Sequence, residues 1–77
     1  MAGKLTQKIV REYVRRLGGT LKRTDYDDYC VKLAGCEYFT DALDDVLGTA
    51  RAMCGTHPNI ADAEEYLKNA LDFTHSH

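Results

Sequence analysis

The sequence predicts an α+β domain of element order α-β-β-β-α-α, in which a three-stranded antiparallel sheet carries helices packed on one face. Three observations support this fold class. Apolar residues recur at helical spacing in three segments, short strand-like segments lie between the first two of them, and turn-forming residues separate the segments. We expect a single domain over residues 1–77, with a helix at 5–17, a β-meander at 20–40, and helices at 41–54 and 59–73.

The first helix is predicted from an apolar stripe that ends at a pair of glycines. The spacing of the stripe is that of one face of an α-helix. Gly18 and Gly19 follow it at once, and glycine readily adopts the left-handed conformation that closes a helix. The stripe consists of Ile9, Val10, Tyr13, Val14 and Leu17.

The β-meander is predicted from two segments that flank an aspartate-rich turn. Residues 20–24 and 29–33 have the composition of strands, and the aspartates between them favour a turn because their side chains bond the nearby backbone. The pair Ala34-Gly35 allows a tight turn into a short aromatic strand at residues 36–39.

Two further helices follow the meander. Thr40 and Asp41 are suitable N-cap residues for the second helix, and Gly48 within it suggests a close contact between that helix and the sheet. Asn59 is a suitable N-cap for the third helix, which either pads the sheet or pairs with a second copy of the chain.

The composition is that of a folded intracellular domain. Apolar residues make up 44% of the chain and charged residues 29%, which argues against intrinsic disorder. No apolar run approaches the roughly 20 residues that span a bilayer, and the first residues lack the apolar block of a signal peptide. We therefore expect a cytoplasmic protein with no membrane partner. The odd set of Cys30, Cys36 and Cys54 favours free thiols over a disulfide scaffold.

Charge is strongly segregated along the chain. Residues 1–23 contain seven lysines and arginines and one acidic residue, whereas residues 24–77 contain three lysines and arginines and eleven acidic residues. The basic stripe of the first helix either follows the phosphates of a nucleic acid or forms a solvated surface that neutralises the acidic helices. The candidate nucleic-acid-binding residues are Lys4, Lys8, Arg11, Arg15 and Lys22.

The acidic residues concentrate in two groups. One group lies in the predicted hairpin turn, and the other opens the second helix. They either dock on a basic protein surface through charge complementarity or serve only as turn formers and helix caps. The candidate protein-binding residues are Asp25, Asp27, Asp28, Asp41, Asp44 and Asp45.

Residues suited to catalysis are scarce. The one serine is Ser76, in the tail, and Cys54 with His57 is the one conceivable thiol–imidazole pair. Cys54 and His57 also have metal-ligand spacing, but a zinc site needs further ligands and no second pair stands nearby. We predict no catalytic residues, no metal and no cofactor.

Three short motifs stand out in residues 29–53: Tyr29-Cys-Val31, Tyr38-Phe39-Thr40-Asp41-x-Leu43-Asp44-Asp45 and Thr49-Ala50-x-Ala52-Met53. They resemble small uncharacterised proteins found in phages and other bacterial mobile elements. The motifs consist mostly of core and capping residues, so the resemblance implies a fold and not an activity. The topology is similar to that of double-stranded-RNA-binding-like domains, including HicA-type toxins, and its hairpin-to-helix part is similar to HicB-type antitoxins. The strand histidine that a HicA-type toxin would need for RNA cleavage is missing from residues 20–24 and 29–33.

Together these observations predict a non-enzymatic binding protein of a phage or mobile element. Its expected partner is a host protein, and inhibition of a defence system, as by an anti-CRISPR protein, is one such role. Two alternatives stay open: a nucleic-acid-binding module that uses the basic first helix, and a structural homodimer built on the last helix.

Overall fold

The computed structural model describes residues 5–76, with side chains as far as Leu71, and gives the order α-β-β-β-α-α. Helices pack on a three-stranded antiparallel sheet, so the α+β prediction is confirmed. The helices are α1 (Gln7–Arg16), α2 (Leu43–Met53) and α3 (Ile60–Ser76), and the strands are β1 (Thr20–Arg23), β2 (Tyr29–Leu33) and β3 (Cys36–Thr40).

Helix α1 begins and ends within the predicted range. Thr6 is its N-cap, and the Thr6 hydroxyl accepts a hydrogen bond from the Ile9 amide (3.2 Å). Val10, Tyr13 and Val14 are fully buried, because they lie on the face that packs against the rest of the fold.

The glycine pair closes α1 and lets it approach the sheet. The Gly19 amide donates to the Val14 carbonyl (3.0 Å) and the Gly18 amide to the Arg15 carbonyl (2.9 Å), which is the Schellman pattern of helix ends. Gly18 has a φ of 86°, which glycine adopts without strain. A methyl group at Gly19 would collide with the Lys32 carbonyl oxygen, so the chain passes β2 there at a distance that only glycine allows.

The sheet has the strand order β1-β2-β3, with both neighbouring pairs antiparallel. Leu21, Val31 and Leu33 point to the helices and are buried. The alternate side chains lie on the open face, as the period of a strand requires. They are Thr20, Lys22, Cys30, Lys32, Glu37 and Phe39.

Helix α2 begins later than predicted, and its capping differs from the prediction. The N-cap is Ala42, which makes no side-chain capping bond. Thr40 instead accepts a hydrogen bond from the Ala42 amide (3.3 Å), and so shapes the turn that precedes the helix. The prediction of Thr40 or Asp41 as N-cap was wrong because the polar side chain at Thr40 serves this turn and not the helix end.

Gly48 does not mark a close contact between α2 and the sheet, as the sequence suggested. It lies on the exposed side of α2, and a Cβ there would meet no atom within 4 Å. The close approach of helix and sheet lies at Gly19 instead.

Helix α3 packs against α1 and extends to Ser76, beyond the predicted end at residue 73. Ala63 and Leu67 of α3 are buried in the same core as Val10 and Val14. The ring of Tyr66 lies 4.7 Å from the Arg16 guanidinium. Within residues 5–76, no helix has the length and apolar character needed to cross a membrane.

Candidate functional site

The hairpin loop between β1 and β2, residues 24–28, is shaped by its own polar groups. The Thr24 amide donates to the Asp28 carbonyl (2.9 Å), and the side chains of Thr24 and Asp28 are hydrogen-bonded. Asp27 has a φ of 63°, a left-handed conformation that aspartate tolerates better than most residues. Its carboxylate accepts from Arg23 (3.1 Å). The loop thus uses Asp27 and Asp28 to hold its shape and leaves Asp25 exposed.

The second group of aspartates lies where β3 leads into α2. Asp44 and Asp45 occupy the first turn of α2, where the partial positive charge of the helix terminus favours carboxylates. Asp41 precedes the N-cap, and all three side chains are exposed.

Antiparallel pairing brings the two groups to the same end of the sheet. Tyr29, the first residue of β2, pairs with Thr40, the last residue of β3. Paired strands lie about 4.8 Å apart. The hairpin loop that leads into Tyr29 therefore lies beside the segment that follows Thr40. We call the resulting surface the acidic end; it consists of Asp25, Asp27, Asp28, Asp41, Asp44 and Asp45.

Two exposed aromatic side chains accompany the acidic end. Tyr26, in the middle of the hairpin loop, is 90% exposed, and Phe39, next to Thr40 on the open face, is 59% exposed. Among the described residues these are the large hydrophobic side chains that the fold leaves in solvent. An exposed aromatic residue in a charged setting is a common feature of protein-binding surfaces.

Most of the acidic end carries uncompensated charge. Asp25, Asp41, Asp44 and Asp45 make no side-chain hydrogen bond or ion pair with any residue that the structure describes. Asp25 and Asp41 therefore have no charged partner among the described residues, and Asp44 and Asp45 meet only the partial positive charge of the α2 terminus.

The predicted nucleic-acid-binding residues are only partly neutralised. Lys4 lies outside the described residues. Arg15 makes two hydrogen bonds to Glu12 (2.7 and 2.6 Å) within α1. Lys8, Arg11 and Lys22 make no side-chain ion pair or hydrogen bond with residues 5–71, whose side chains the structure describes.

Arg11, Arg15 and Lys22 meet in an open groove of about 610 Å³ between α1 and β1. Lys8 borders a neighbouring depression together with Arg11, Arg15 and Tyr66. We call the first of these the basic groove; its lining residues are Gln7, Arg11, Arg15, Thr20, Leu21, Lys22 and Arg23.

Arg16, in contrast, is neutralised by carboxylates within the fold. Arg16 of α1 pairs with Asp62 of α3 (2.8 Å) and with Glu12 (3.0 Å). The hydrogen bond with Asp62, and then that with Glu12, holds the pKa of Arg16 above its usual value. The hydrogen bonds between Arg15 and Glu12 raise the pKa of Arg15 and lower that of Glu12.

Within the predicted basic stripe, Arg15 is neutralised by Glu12, whereas Lys8 and Arg11 keep free positive charge. In the basic groove, Arg11 and Lys22 are the cations without a carboxylate partner among the described side chains.

A polar cluster connects the three helices. The Tyr13 hydroxyl is hydrogen-bonded to Glu64, and Glu64 accepts two hydrogen bonds from Arg51 (2.7 and 3.0 Å). Burial and the Glu64 carboxylate raise the pKa of Tyr13, while the Arg51 hydrogen bonds lower the pKa of Glu64. Tyr13 is thus held neutral and Glu64 charged, which suits a structural cluster.

The side chains of Cys54, His57 and Cys30 take part in local packing and hydrogen bonds. Cys54 is buried, and His57 Nδ1 accepts a hydrogen bond from the Asn59 amide (3.0 Å) in the turn before α3. Cys30 on the open face contacts Glu37 Oε2 (3.5 Å), and partial burial raises the pKa of the Cys30 thiol, so it is a poor nucleophile. Among the side chains that the structure describes, those of residues 5–71, no group of histidine, cysteine and acidic residues is arranged to hold a metal ion.

Tyr26, Phe39 and Arg23 are absent from the sites predicted from the sequence, yet they border the two charged surfaces. The alternation of side chains along β3 could have predicted that Phe39 is exposed, because Phe39 lies on the opposite face from the partly buried Tyr38. The position of Tyr26 among turn aspartates indicates exposure in the same way.

No protein-family model, no curated protein and no solved structure matches the chain.

Proposed function

We propose that the chain is a non-enzymatic protein-binding module and that the acidic end, with Tyr26 and Phe39, is its binding surface. The observation that carries the proposal is the coincidence of two features at one end of the sheet. Carboxylates without internal partners lie in the hairpin loop and in the segment after Thr40, and the exposed Tyr26 and Phe39 lie in that loop and directly before Thr40.

This combination fits the anatomy of a protein interface. A few aromatic anchors supply most of the binding energy when they are buried in a partner, and charged groups around them set orientation and exclude wrong partners. Tyr26 and Phe39 would be the anchors, and Asp25, Asp41 and Asp44 the charged border.

The expected partner has a basic surface with pockets for aromatic side chains. Opposite charges on two surfaces speed their diffusional encounter, and salt weakens the effect. The resemblance of the motifs in residues 29–53 to proteins of phages and mobile elements supports a partner in a bacterial host cell. Inhibition of a host defence complex is a role that such a surface would serve.

Capture experiments with matched variants test the proposal. The full chain, Tyr26→Ser, Phe39→Thr and the control Glu65→Lys would be immobilised and exposed to bacterial lysate, and the retained proteins would be quantified by mass spectrometry. Tyr26 and Phe39 are exposed, so their substitution should change the free energy of unfolding by no more than about 0.5 kcal/mol.

The proposal predicts proteins that the unmodified chain and Glu65→Lys retain but Tyr26→Ser and Phe39→Thr lose. Equal retention by all four proteins would contradict it. Retained material that consists of nucleic acid, or sedimentation as a stable homodimer, would point to one of the alternative functions.

A further inference from the structure

We infer that the basic groove binds an extended acidic segment of a partner protein, which joins the sheet as an additional strand beside β1. This surface consists of different residues from the acidic end, so the inference does not rest on the proposed function.

The first support is the unpaired edge of β1. This strand lies at the edge of the sheet and pairs only with β2 among the described residues. The Thr24 amide bonds the Asp28 carbonyl, and hydrogen-bonded pairs alternate along antiparallel strands. Thr20 and Lys22 therefore bond β2, while the N–H and C=O groups of Leu21 and Arg23 point to the free edge. An added strand would satisfy these groups, and this mode of recognition recurs among peptide-binding domains.

The second support is the wall that α1 provides along this edge. Gln7, Arg11 and Arg15 follow one another at four-residue spacing, so they form one row on the helix. The row and β1 enclose an open groove of about 610 Å³. The groove thus offers backbone groups on one side and long polar side chains on the other.

The third support is positive charge on both sides of the place that the added strand would take. Side chains of a strand point alternately to opposite faces of its sheet. Those that face α1 would meet Arg11 and Arg15, and those on the open face would lie beside Lys22. Arg11 and Lys22 have no carboxylate partner among the side chains of residues 5–71, so acidic side chains on either face would be recognised.

A second copy of the chain is a poor occupant of this edge. Pairing of β1 with β1 would bring Lys22 and Arg23 of the two copies together, and like charges opposite one another destabilise a pair of strands. Nucleic acid is also disfavoured. No aromatic side chain lines the groove, so it offers no surface on which bases could stack.

The test uses the full chain and a fluorescent peptide of alternating glutamate and valine. A second peptide carries the same side chains but is N-methylated throughout, which keeps its charge and removes its backbone donors. An oligothymidine of equal charge serves as competitor. Binding is measured by fluorescence anisotropy, and the amide hydrogen exchange of Leu21 and Arg23 is measured by nuclear magnetic resonance.

The inference predicts that the unmodified peptide binds and that N-methylation weakens binding by about tenfold or more, since unpaired backbone groups are costly. Peptide saturation should slow exchange of the Leu21 and Arg23 amides. Lys22→Glu should weaken binding by about tenfold, whereas Lys68→Glu on the exposed side of α3, with the same change of charge, should have little effect.

Three results would overturn the inference. One is the absence of peptide binding at about 1 mM peptide in low salt. Another is equal binding of the methylated and unmethylated peptides, because attraction would then be electrostatic only. The third is displacement of the peptide by oligothymidine at lower concentration than by unlabelled peptide, which would assign the groove to nucleic acid.

Discussion

The Tyr13 hydroxyl of α1 is hydrogen-bonded to the Glu64 carboxylate of α3, and Glu64 also accepts two hydrogen bonds from Arg51 of α2. Tyr13 is fully buried, so its hydroxyl depends on this carboxylate for a partner. The contact thus joins α3 to α1 by a directed hydrogen bond, in addition to their apolar packing.

A pair of tyrosine substitutions tests this contribution. Tyr13→Phe should lower the free energy of unfolding by about 1.5–3 kcal/mol, the range for a hydrogen bond to a charged group. Tyr38→Phe should change the stability by much less, because the buried Tyr38 hydroxyl makes no hydrogen bond to a charged group and has only the Thr49 side chain as a polar neighbour. Urea denaturation measures both. An equal loss in the two variants would show that the Tyr13–Glu64 contact adds nothing specific.

The same cluster predicts a pH dependence of stability. The Arg51 hydrogen bonds, joined by that of Tyr13, hold the pKa of Glu64 below its ordinary value of 4.5. A lowered native pKa contributes stability that is present above pH 4.5 and is lost as the pH falls through the native pKa. The urea midpoint of the unmodified chain should therefore fall on acidification. The midpoint of Glu64→Gln should fall less steeply with pH than that of the control Glu65→Gln. Parallel profiles of the two variants would contradict the assignment.

Two glycine substitutions should act in opposite directions. Gly48→Ala should raise the free energy of unfolding by roughly 0.5–1 kcal/mol, because a Cβ meets open space in an exposed helix position. Gly19→Ala should lower it markedly, because the Cβ would press on the backbone of Lys32. Thermal and urea denaturation measure both variants. A stabilised Gly19→Ala protein would disprove the close approach of α1 and β2.

The fold could be predicted from local patterns, whereas the arrangement of its surfaces could not. Apolar spacing and the glycine pair at Gly18 predicted the elements and their order. The meeting of the hairpin loop with the start of α2 depends on the pairing of Tyr29 with Thr40, which no local pattern fixes. The basic groove likewise depends on the contact between α1 and β1.

Errors of the sequence analysis also have physical causes. A close contact between α2 and the sheet was predicted at Gly48 from its residue type alone. A glycine in a helix indicates such a contact only if it lies on the side of the helix that faces the core. The capping prediction at Asp41 failed because Thr40 already bonds the Ala42 amide and shifts the start of α2.

The association rate of the chain with its captured partner tests the central claim most directly. It would be measured by stopped-flow fluorescence at low and high salt for the unmodified chain, for Asp25→Lys and for the control Glu65→Lys, which carries the same change of charge on α3. Asp25→Lys should slow association several-fold at low salt, by about tenfold at most, and the difference should shrink at high salt because ions screen the attraction. Equal slowing by Asp25→Lys and Glu65→Lys would mean that only net charge matters, and the claim that the acidic end is the binding surface would be wrong.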